Sequence, residues 1–375
     1  MRRIYFDNAA TTAIDPLVLE AMMPYLSEKF GNPSSIYSYG RETRMAVEQA
    51  RKSVARILNT TPGEIFFTSG GTESNNAILH AAVRDLGCTR ILSTSIEHHA
   101  VSHTIEHLCH SGQVKTNEVK LLPNGHVDLQ HLEQLLAAST EKTLVSLMHA
   151  NNEIGNILDI KAVGELCTRY QAYFHSDTVQ TVGHFPLDLQ SIPVHFITGA
   201  AHKFHGPKGV GLLYIRNDVR MHPFIFGGGQ ERNMRAGTEN IYGIVGFAKA
   251  LELATAHYDT DSCQINDLRM YMKEKLQSTF PDVVFNGDVD GQSLYTVLSV
   301  GFPKTEKSAM LLFNLDIHNI CASGGSACSS GVEEGSHVIR ALQQLQPQST
   351  VRFSFSKYNT TEEVDHTIEV LKQLL

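Results

Sequence analysis

The sequence predicts an α/β protein whose main sheet is mostly parallel and covered by helices on both faces, followed by a smaller α+β region. Short apolar segments and amphipathic helical segments alternate regularly between about residues 60 and 215. After a long predicted helix at about 239–258, this alternation gives way to a mixed pattern. Because 375 residues suffice for two domains, we expect a large domain at 15–258 and a small domain that joins 1–14 to 259–375.

The predicted elements follow one another in a consistent order. Asp15 and Pro16 open a first helix that runs toward Leu26, since proline is favoured in the first helical turn. A second, amphipathic helix is predicted at 42–58. Strands are then predicted at 64–68, 90–94, 117–122, 143–149, 172–176, 194–197 and 210–215, with helices at 72–86, 98–110, 128–137, 159–170 and, near the end, Thr361–Leu374. Ligand-binding side chains should gather at the carboxyl ends of these strands.

Lys203 follows one of the predicted strands, in the segment TGAAHKFHGPKG at 198–209. Desolvation lowers the pKa of a buried amine, which makes the amine a nucleophile toward carbonyl groups. The small residues before Lys203 leave room for a flat ring. The segment therefore indicates a Schiff-base lysine, although an ordinary surface lysine at a strand end is the alternative.

Other segments supply the groups that pyridoxal phosphate (PLP) requires of a protein. Asp177 ends a short apolar strand and suits the ring nitrogen, and Gln180 lies close enough to donate to the ring hydroxyl. Gly71 precedes Thr72, which opens a predicted helix whose free N–H groups and dipole favour a phosphate. His98 suits the ring face and proton transfer. Taken singly, each has a structural alternative: a helix-capping Asp or Thr, or one of nineteen histidines on the surface or in the core.

Cys328 lies in the segment ASGGSACSSG at 322–331, in which nine of ten residues are Gly, Ser or Ala. Such a composition cannot pack a core, so we expect a mobile loop that carries an exposed thiol. The alternative is an incidental surface cysteine. Neither Cys328 nor the adjacent pair His98 and His99 has the spacing of a zinc site.

Taken together, these segments resemble the cysteine desulfurases of the NifS/IscS type over nearly the whole chain. The resemblance implies the PLP-dependent transferase fold type I, with a mainly parallel seven-stranded sheet. The further matching segments are YFDNAATT at 5–12, GNPSS at 31–35, EHHAV at 97–101, HANNEIG at 149–155, GGGQE at 227–231, RAGTEN at 235–240 and VRFS at 351–354.

The resemblance also implies roles for individual residues. Lys203 would carry PLP as a Schiff base and move protons. Arg352 would bind the substrate carboxylate through its planar fork, together with Asn152 and Asn32. The cofactor-binding residues would be Gly71, Thr72, His98, Asn152, Asp177, Gln180, Lys203 and His202, with Thr238 reaching the PLP of the other subunit of a homodimer.

The implied reaction removes sulfur from L-cysteine and leaves L-alanine and a persulfide on Cys328. The sulfur would pass to an acceptor or iron–sulfur scaffold protein, for cluster assembly or thiolation, with a transient iron–sulfur contact through Cys328 possible. A related lyase acting on selenocysteine or cysteine sulfinate, an aminotransferase and a non-catalytic relative are the alternatives. The Cys328 loop argues against an aminotransferase, and the intact set of site residues argues against a non-catalytic relative.

Three departures from the family pattern lead to further expectations. Ala200 replaces a serine that donates to the phosphate in many relatives, which predicts weaker PLP retention without loss of fold. Ser356 replaces a common glycine, which predicts a shifted local turn. The chain ends at Leu375, without the longer tail that helps housekeeping members to bind the scaffold, so the acceptor stays open. Cys321 would either relay sulfur or be buried, and we expect it to be buried.

Composition excludes several classes of protein. The net charge is −8, without a basic block, which does not support direct binding of nucleic acid. There is no secretory signal and no apolar run of about 20 residues, so we expect no membrane span. Six cysteines without paired spacing fit a reducing environment, and we expect a cytoplasmic protein with free thiols.

Overall fold

The structure is a computed structural model that describes residues 3–324, 336–342 and 348–375. The predicted Cys328 loop lies outside these residues. Among the described residues, no helix has the length and apolar character needed to cross a bilayer.

Strands and helices alternate along the chain. The strands are β1 (Ile4–Tyr5), β2 (Ile65–Thr68), β3 (Arg90–Ser93), β4 (Lys115–Glu118), β5 (Thr143–Ser146), β6 (Tyr173–Asp177), β7 (Phe196–Ala200), β8 (Gly211–Ile215), β9 (Val284–Phe285), β10 (Val297–Pro303), β11 (Ile320–Cys321) and β12 (Gln348–Ser354). The helices are α1 (Pro16–Ser27), α2 (Ser38–Ile57), α3 (Gly71–Arg84), α4 (His99–His110), α5 (Leu129–Ala137), α6 (Ile160–Arg169), α7 (Ile241–Ala256), α8 (Tyr258–Thr279), α9 (Leu311–Ile317), α10 (His337–Ala341) and α11 (Thr361–Leu374).

Seven strands form the main sheet in the order β2-β8-β7-β6-β5-β3-β4. All neighbours from β7 to β4 are parallel, whereas β8 runs antiparallel to both β2 and β7. The arrangement confirms the predicted α/β class and the mainly parallel seven-stranded sheet. The carboxyl ends of β5, β6 and β7 therefore lie at one edge of the sheet, where a ligand is expected in an open α/β fold.

Apolar cores cover both faces of this sheet. Successive residues of a strand point to opposite faces, so in β2 Phe67 joins the core that contains α1, α2, α6 and α7, while Phe66 joins the core that contains α3 and α4. In the same way, Phe174 and Tyr173 of β6 contact the two different cores. Burial on both faces explains why these strands read as continuous apolar runs in the sequence.

A third core joins the N-terminal segment to the last part of the chain. Ile4 and Phe6 pack with residues of α8, β10, β12 and α11, among them Met272 and Phe353. Strand β1 pairs in parallel with β11, and β10 lies between antiparallel β9 and β12. The domain boundaries at 14 and 258 stay a prediction.

Several predicted elements differ in their bounds from the structure: the helix predicted at 42–58 begins at Ser38, the strand predicted at 143–149 ends at Ser146, and the strand predicted at 194–197 lies at Phe196–Ala200. The strand predicted at 117–122 lies at Lys115–Glu118, where all four residues are exposed at the end of the sheet. A strand at the end of a sheet need not be apolar, so its residues carry no apolar pattern that would fix its bounds. The long helix predicted at 239–258 ends at Ala256, and a separate helix, α8, begins at Tyr258.

Candidate active site

A cavity of about 250 Å³ lies at the carboxyl ends of β5, β6 and β7. The structure brings together at this cavity most of the side chains that the sequence singled out. Further residues complete the lining, among them two alanines from the N-terminal segment and one methionine. The lining residues are Ala9, Ala10, Gly71, Thr72, Asn75, His98, Met148, Asn152, Asp177, Val179, Gln180, Ala200, His202, Lys203 and Arg352.

Lys203 ends a single 3₁₀ turn that directly follows β7. Its ammonium donates to the main-chain oxygens of Ala9, over 2.6 Å, and of Ala10, over 3.0 Å. Its own main-chain oxygen accepts a hydrogen bond of 3.0 Å from Nε2 of His184. The N-terminal segment and β7 thus hold the lysine from two sides at the cavity.

Asp177 is the last residue of β6 and is buried. Its Oδ2 accepts a hydrogen bond of 2.7 Å from the Asn75 amide, and its Oδ1 accepts one of 3.0 Å from the Val179 main-chain N–H. A carboxylate oriented in this way can face a protonated ring nitrogen. Gln180, three residues later, also lines the cavity and donates to the Ala9 main-chain oxygen over 3.1 Å.

Gly71 is the first residue of α3 and leaves space at the helix N-terminus. A Cβ at this position would lie 2.6 Å from Cγ2 of Val179, so any larger residue would force the two segments apart. Thr72 follows on the exposed side of the cavity. The free N–H groups of this first turn face a space that suits an anion.

His202 lies beside Lys203, and its Nδ1 is 3.2 Å from Oγ1 of Thr11. Burial, and then the neighbouring cations Lys203 and Lys208, lower the pKa of His202 to about 4. The imidazole is therefore neutral at pH 7 and can donate one hydrogen bond to an anion. Ala200 is buried at the end of β7 and offers no such donor.

His98 caps the N-terminus of α4, where its Nδ1 accepts a hydrogen bond of 3.0 Å from the Ala100 main-chain N–H. Burial is the main cause of the lowered pKa of His98, and the charge of Lys203 lowers this pKa further. The ring is consequently neutral with its proton on Nε2. A neutral imidazole at the cavity can both cover a flat ring and exchange a proton.

Arg352 lies in β12 and is almost fully buried, with 1% of its surface exposed. Its Nη2 donates to the Asp7 carboxylate over 2.6 Å and its Nη1 to the Asn152 main-chain oxygen over 2.8 Å. Its Nε finds no acceptor among the described residues. Arg352 also lines the cavity, where a guanidinium suits a carboxylate.

Two predicted site residues lie away from this cavity. Thr238 is exposed in the segment before α7 and lines a separate hollow with Ser69 and Arg235. Asn32 is exposed before α2, where its side chain accepts a hydrogen bond from the Ser34 main-chain N–H. Their roles at the site stay predictions.

Residues near the C-terminal part give three further outcomes. Cys328 lies outside the described residues. Cys321 is partly buried in β11, not fully buried as expected, and its burial raises the pKa of its thiol. Ser356 has a φ outside the left-handed region, and its main-chain N–H donates to Oδ1 of Asn359 over 2.9 Å, so the backbone here does not require glycine; the shifted turn stays a prediction.

Sequence reasoning missed three residues that support the site. Asn75 holds Asp177, His184 holds the main chain of Lys203, and Asp7 pairs with Arg352. Asp7 lies inside a segment that carried the family resemblance, and Asn75 lies in the helix that Thr72 was predicted to open, but their partners are far away in the sequence. Within the described ranges, no group of His, Cys, Asp and Glu is arranged to hold a metal ion.

The fold and this cavity define a class of protein, and the chain belongs to the class-V aminotransferase family, whose sequence model matches residues 4–367. Proteins of this family depend on PLP.

The chain is similar to proteins named as cysteine desulfurases. It is 42% identical to cysteine desulfurase IscS of Dictyoglomus turgidum, over all of this chain and 95% of the relative. Among solved structures, a NifS-like protein matches with a TM-score of 0.91 and 38% identity, over the full length of both chains. SspA, solved in complex with cysteine, matches with a TM-score of 0.83 and 29% identity, over 95% of this chain and all of SspA.

Proposed function

We propose that this chain is a PLP-dependent cysteine desulfurase that converts L-cysteine into L-alanine and leaves the sulfur as a persulfide on Cys328. The balance is complete, because L-cysteine and one thiol give L-alanine and one persulfide without an added oxidant. One observation carries the proposal: Lys203, Asp177, His98 and Arg352 come from four distant segments and line the same cavity.

The cavity fits PLP in its charges and in its shape. Lys203 supplies an amine, Asp177 supplies a carboxylate for the ring nitrogen, and the first turn of α3 with His202 supplies donors for the phosphate. The absence of a side chain at Gly71 supports this fit, since a Cβ there would collide with Val179, which also lines the cavity. When bound, PLP withdraws electrons from the substrate carbon, which weakens the bond to sulfur.

The protein side chains then divide the remaining tasks. Arg352 binds and orients the substrate carboxylate through its guanidinium, with Asn152 beside it at the cavity. His98, neutral and with its proton on Nε2, covers the ring and moves protons, as does Lys203. Gln180 donates to the ring hydroxyl. Cys328 receives the sulfur and carries it away.

We further propose a homodimer, in which Thr238 reaches the cavity of the other subunit. Exposed apolar side chains of α1, of the following loop and of α2 support this surface, with Phe30, Ile36 and Met45 each more than half exposed. Phe226, 78% exposed, belongs to the segment that also carries Thr238. Gln230 of this segment contacts Ser34, so the two parts are continuous. An apolar surface of this kind marks a protein interface.

The sulfur acceptor would be a separate protein, either an iron–sulfur scaffold or a protein of a thiolation pathway. The chain would work in the cytoplasm, where its cysteines stay reduced. Asn32 would contribute to substrate binding near the dimer surface.

A visible spectrum of the purified protein, recorded before and after addition of L-cysteine, tests the function. We expect a PLP absorption band that changes with cysteine, together with equal amounts of alanine and of persulfide at Cys328. A Cys328→Ala variant should keep the band and lose nearly all turnover on cysteine. Unchanged turnover in this variant would instead indicate the related lyase, and absence of a band after reconstitution with PLP would contradict the proposal.

A further inference from the structure

The Asn75 side chain joins Asp177 to Thr198 in the interior. Asn75 lies in α3 and is 1% exposed, and Thr198 of β7 is fully buried. Thr198 Oγ1 donates to Asn75 Oδ1 over 3.1 Å, and Asn75 Nδ2 donates to Asp177 Oδ2 over 2.7 Å. The three side chains therefore form a chain of two hydrogen bonds that ends on the carboxylate at the cavity.

The direction of both hydrogen bonds follows from chemistry. An ionised carboxylate can only accept, so Asn75 must present its NH₂ group to Asp177. Its oxygen then faces Thr198, whose hydroxyl can donate. In a buried chain of this kind, each hydrogen bond polarises the next, so the Thr198 hydroxyl strengthens the donor that Asp177 receives.

The second oxygen of Asp177 is held independently, by the main-chain N–H of Val179. One donor on each oxygen fixes the plane of the carboxylate. Loss of the Asn75 donor would leave the group held on one side and able to rotate. Binding of a ligand to Asp177 would then include the free-energy cost of fixing the carboxylate, a cost that a preorganised site avoids.

We propose that Thr198 and Asn75 are positioning residues that fix the Asp177 carboxylate toward the ring nitrogen of PLP. The inference rests on the proposed function and extends it, because neither residue needs to touch the cofactor through the groups used here. It assigns a purpose to a threonine hydroxyl in the middle of a buried strand, a position where valine is favoured as well.

Three variants test this role. Thr198→Val removes the hydroxyl and keeps the shape, Thr198→Ser keeps the hydroxyl, and Asn75→Ala removes the donor itself. The matched control is Thr367→Val, which removes an equally buried hydroxyl that donates to the Glu363 main-chain oxygen in α11, away from the cavity. Each variant is titrated with PLP as apoprotein, and the position of its bound absorption band and the unfolding midpoint of its apoprotein are measured.

We expect Thr198→Val to raise the Kd for PLP about 3- to 10-fold, as loss of one net hydrogen bond predicts, and to move the absorption band. Asn75→Ala should exceed this effect, while Thr198→Ser and Thr367→Val keep the wild-type Kd and band. If the wild type binds PLP but Thr198→Val has an unchanged Kd and an unchanged band, the inference is overturned while the proposed function stands. A loss of affinity in Thr198→Ser equal to that of Thr198→Val would also overturn it, because the hydroxyl would then not matter. A wild type that takes up no PLP would overturn the proposed function as well.

Discussion

The guanidinium of Arg51 and the carboxylate of Glu231 form a buried two-point ion pair, with N–O distances of 2.7 and 2.8 Å. The pair links α2 to the segment that precedes α7 and carries Thr238. Glu231 and the next two residues, Arg232 and Asn233, have φ values of 44°, 54° and 68°. Left-handed backbone of this kind is unfavourable for residues such as Glu and Arg, although asparagine tolerates it, and it persists where side chains hold it. The ion pair therefore holds a strained turn in place.

Arg51→Met should destabilise the protein by about 3–5 kcal/mol, because it leaves the Glu231 carboxylate buried without its partner. The expected result is a lower midpoint in chemical denaturation. Arg169→Met removes a similar pair with Glu133 on the surface, at 2.7 Å, and should leave the midpoint nearly unchanged. Equal midpoints for the two variants would contradict the role of the buried pair.

Gly71→Ala should weaken PLP binding on the order of tenfold, since overpacking costs about 1–3 kcal/mol. The added Cβ would meet Cγ2 of Val179 at 2.6 Å. The double variant Gly71→Ala/Val179→Ala relieves this contact and should recover most of the affinity in a PLP titration. Gly63→Ala is the matched control, because its Cβ would meet its nearest neighbour, Thr61, at 3.6 Å. Failure of the double variant to recover would exclude the steric explanation.

Arg352→Lys should raise the KM for L-cysteine about 10- to 100-fold, the loss expected for one hydrogen bond to a charged group. Lysine keeps the positive charge but cannot form the planar fork that suits a carboxylate. PLP content should stay at the wild-type level, since Arg352 contacts the Asp7 carboxylate and the main-chain oxygen of Asn152, and the Asn152 side chain is left in place. Loss of PLP with an unchanged KM would show that Arg352 supports the cofactor site instead.

The protein should lose stability as the pH falls from 6.5 toward 4. Burial lowers the pKa of His175 from 6.5 to about 4, so below pH 6.5 the unfolded chain binds a proton that the folded protein does not. The contribution of His175 to the free energy of unfolding is therefore fully present above pH 6.5 and decreases below that pH, by about 3 kcal/mol in total. Four further histidines have a pKa of about 4 for the same main reason: His149, His195, His202 and His205.

Denaturation midpoints at pH 7.5 and pH 4.5 check this prediction. The variant His175→Asn retains a partner for Ser146, which contacts Nδ1 of His175 at 2.9 Å, and should show a smaller difference between the two midpoints than the wild type. His366→Asn, at an exposed position of α11, should show the wild-type difference. An unchanged pH difference in His175→Asn would contradict the assignment.

Much of the fold and of the cavity was predictable because the signals are local. Alternating apolar and amphipathic segments predicted the sheet. Lys203, Asp177 and Gly71 each lie at the end of an apolar strand or a few residues after it. The edge strand β4 was placed too late, since its four exposed residues carry no apolar pattern. The break at His257 between α7 and α8 was missed because both sides of it are helical in pattern.

The supporting contacts were not predictable, because each one depends on the three-dimensional arrangement. Asn75 and Asp177 are separated by 102 residues, and Arg51 and Glu231 by 180. Neither member of such a pair differs in type from ordinary polar residues. Propensity and spacing therefore located the groups at the cavity but not the side chains that hold them.

The antiparallel pairing of β7 with β8 affects the order in which the site should form during folding. The turn that carries Lys203 closes between strands at Phe196–Ala200 and Gly211–Ile215, so little chain entropy is lost when it forms. Asp177 pairs with Asn75 only when α3 packs against the sheet, and this contact closes a much longer loop of chain. We therefore expect the complete chain, when it refolds, to form the turn with the reactive amine before it has a place for the ring, which delays capture of the cofactor until the long-range contacts are complete.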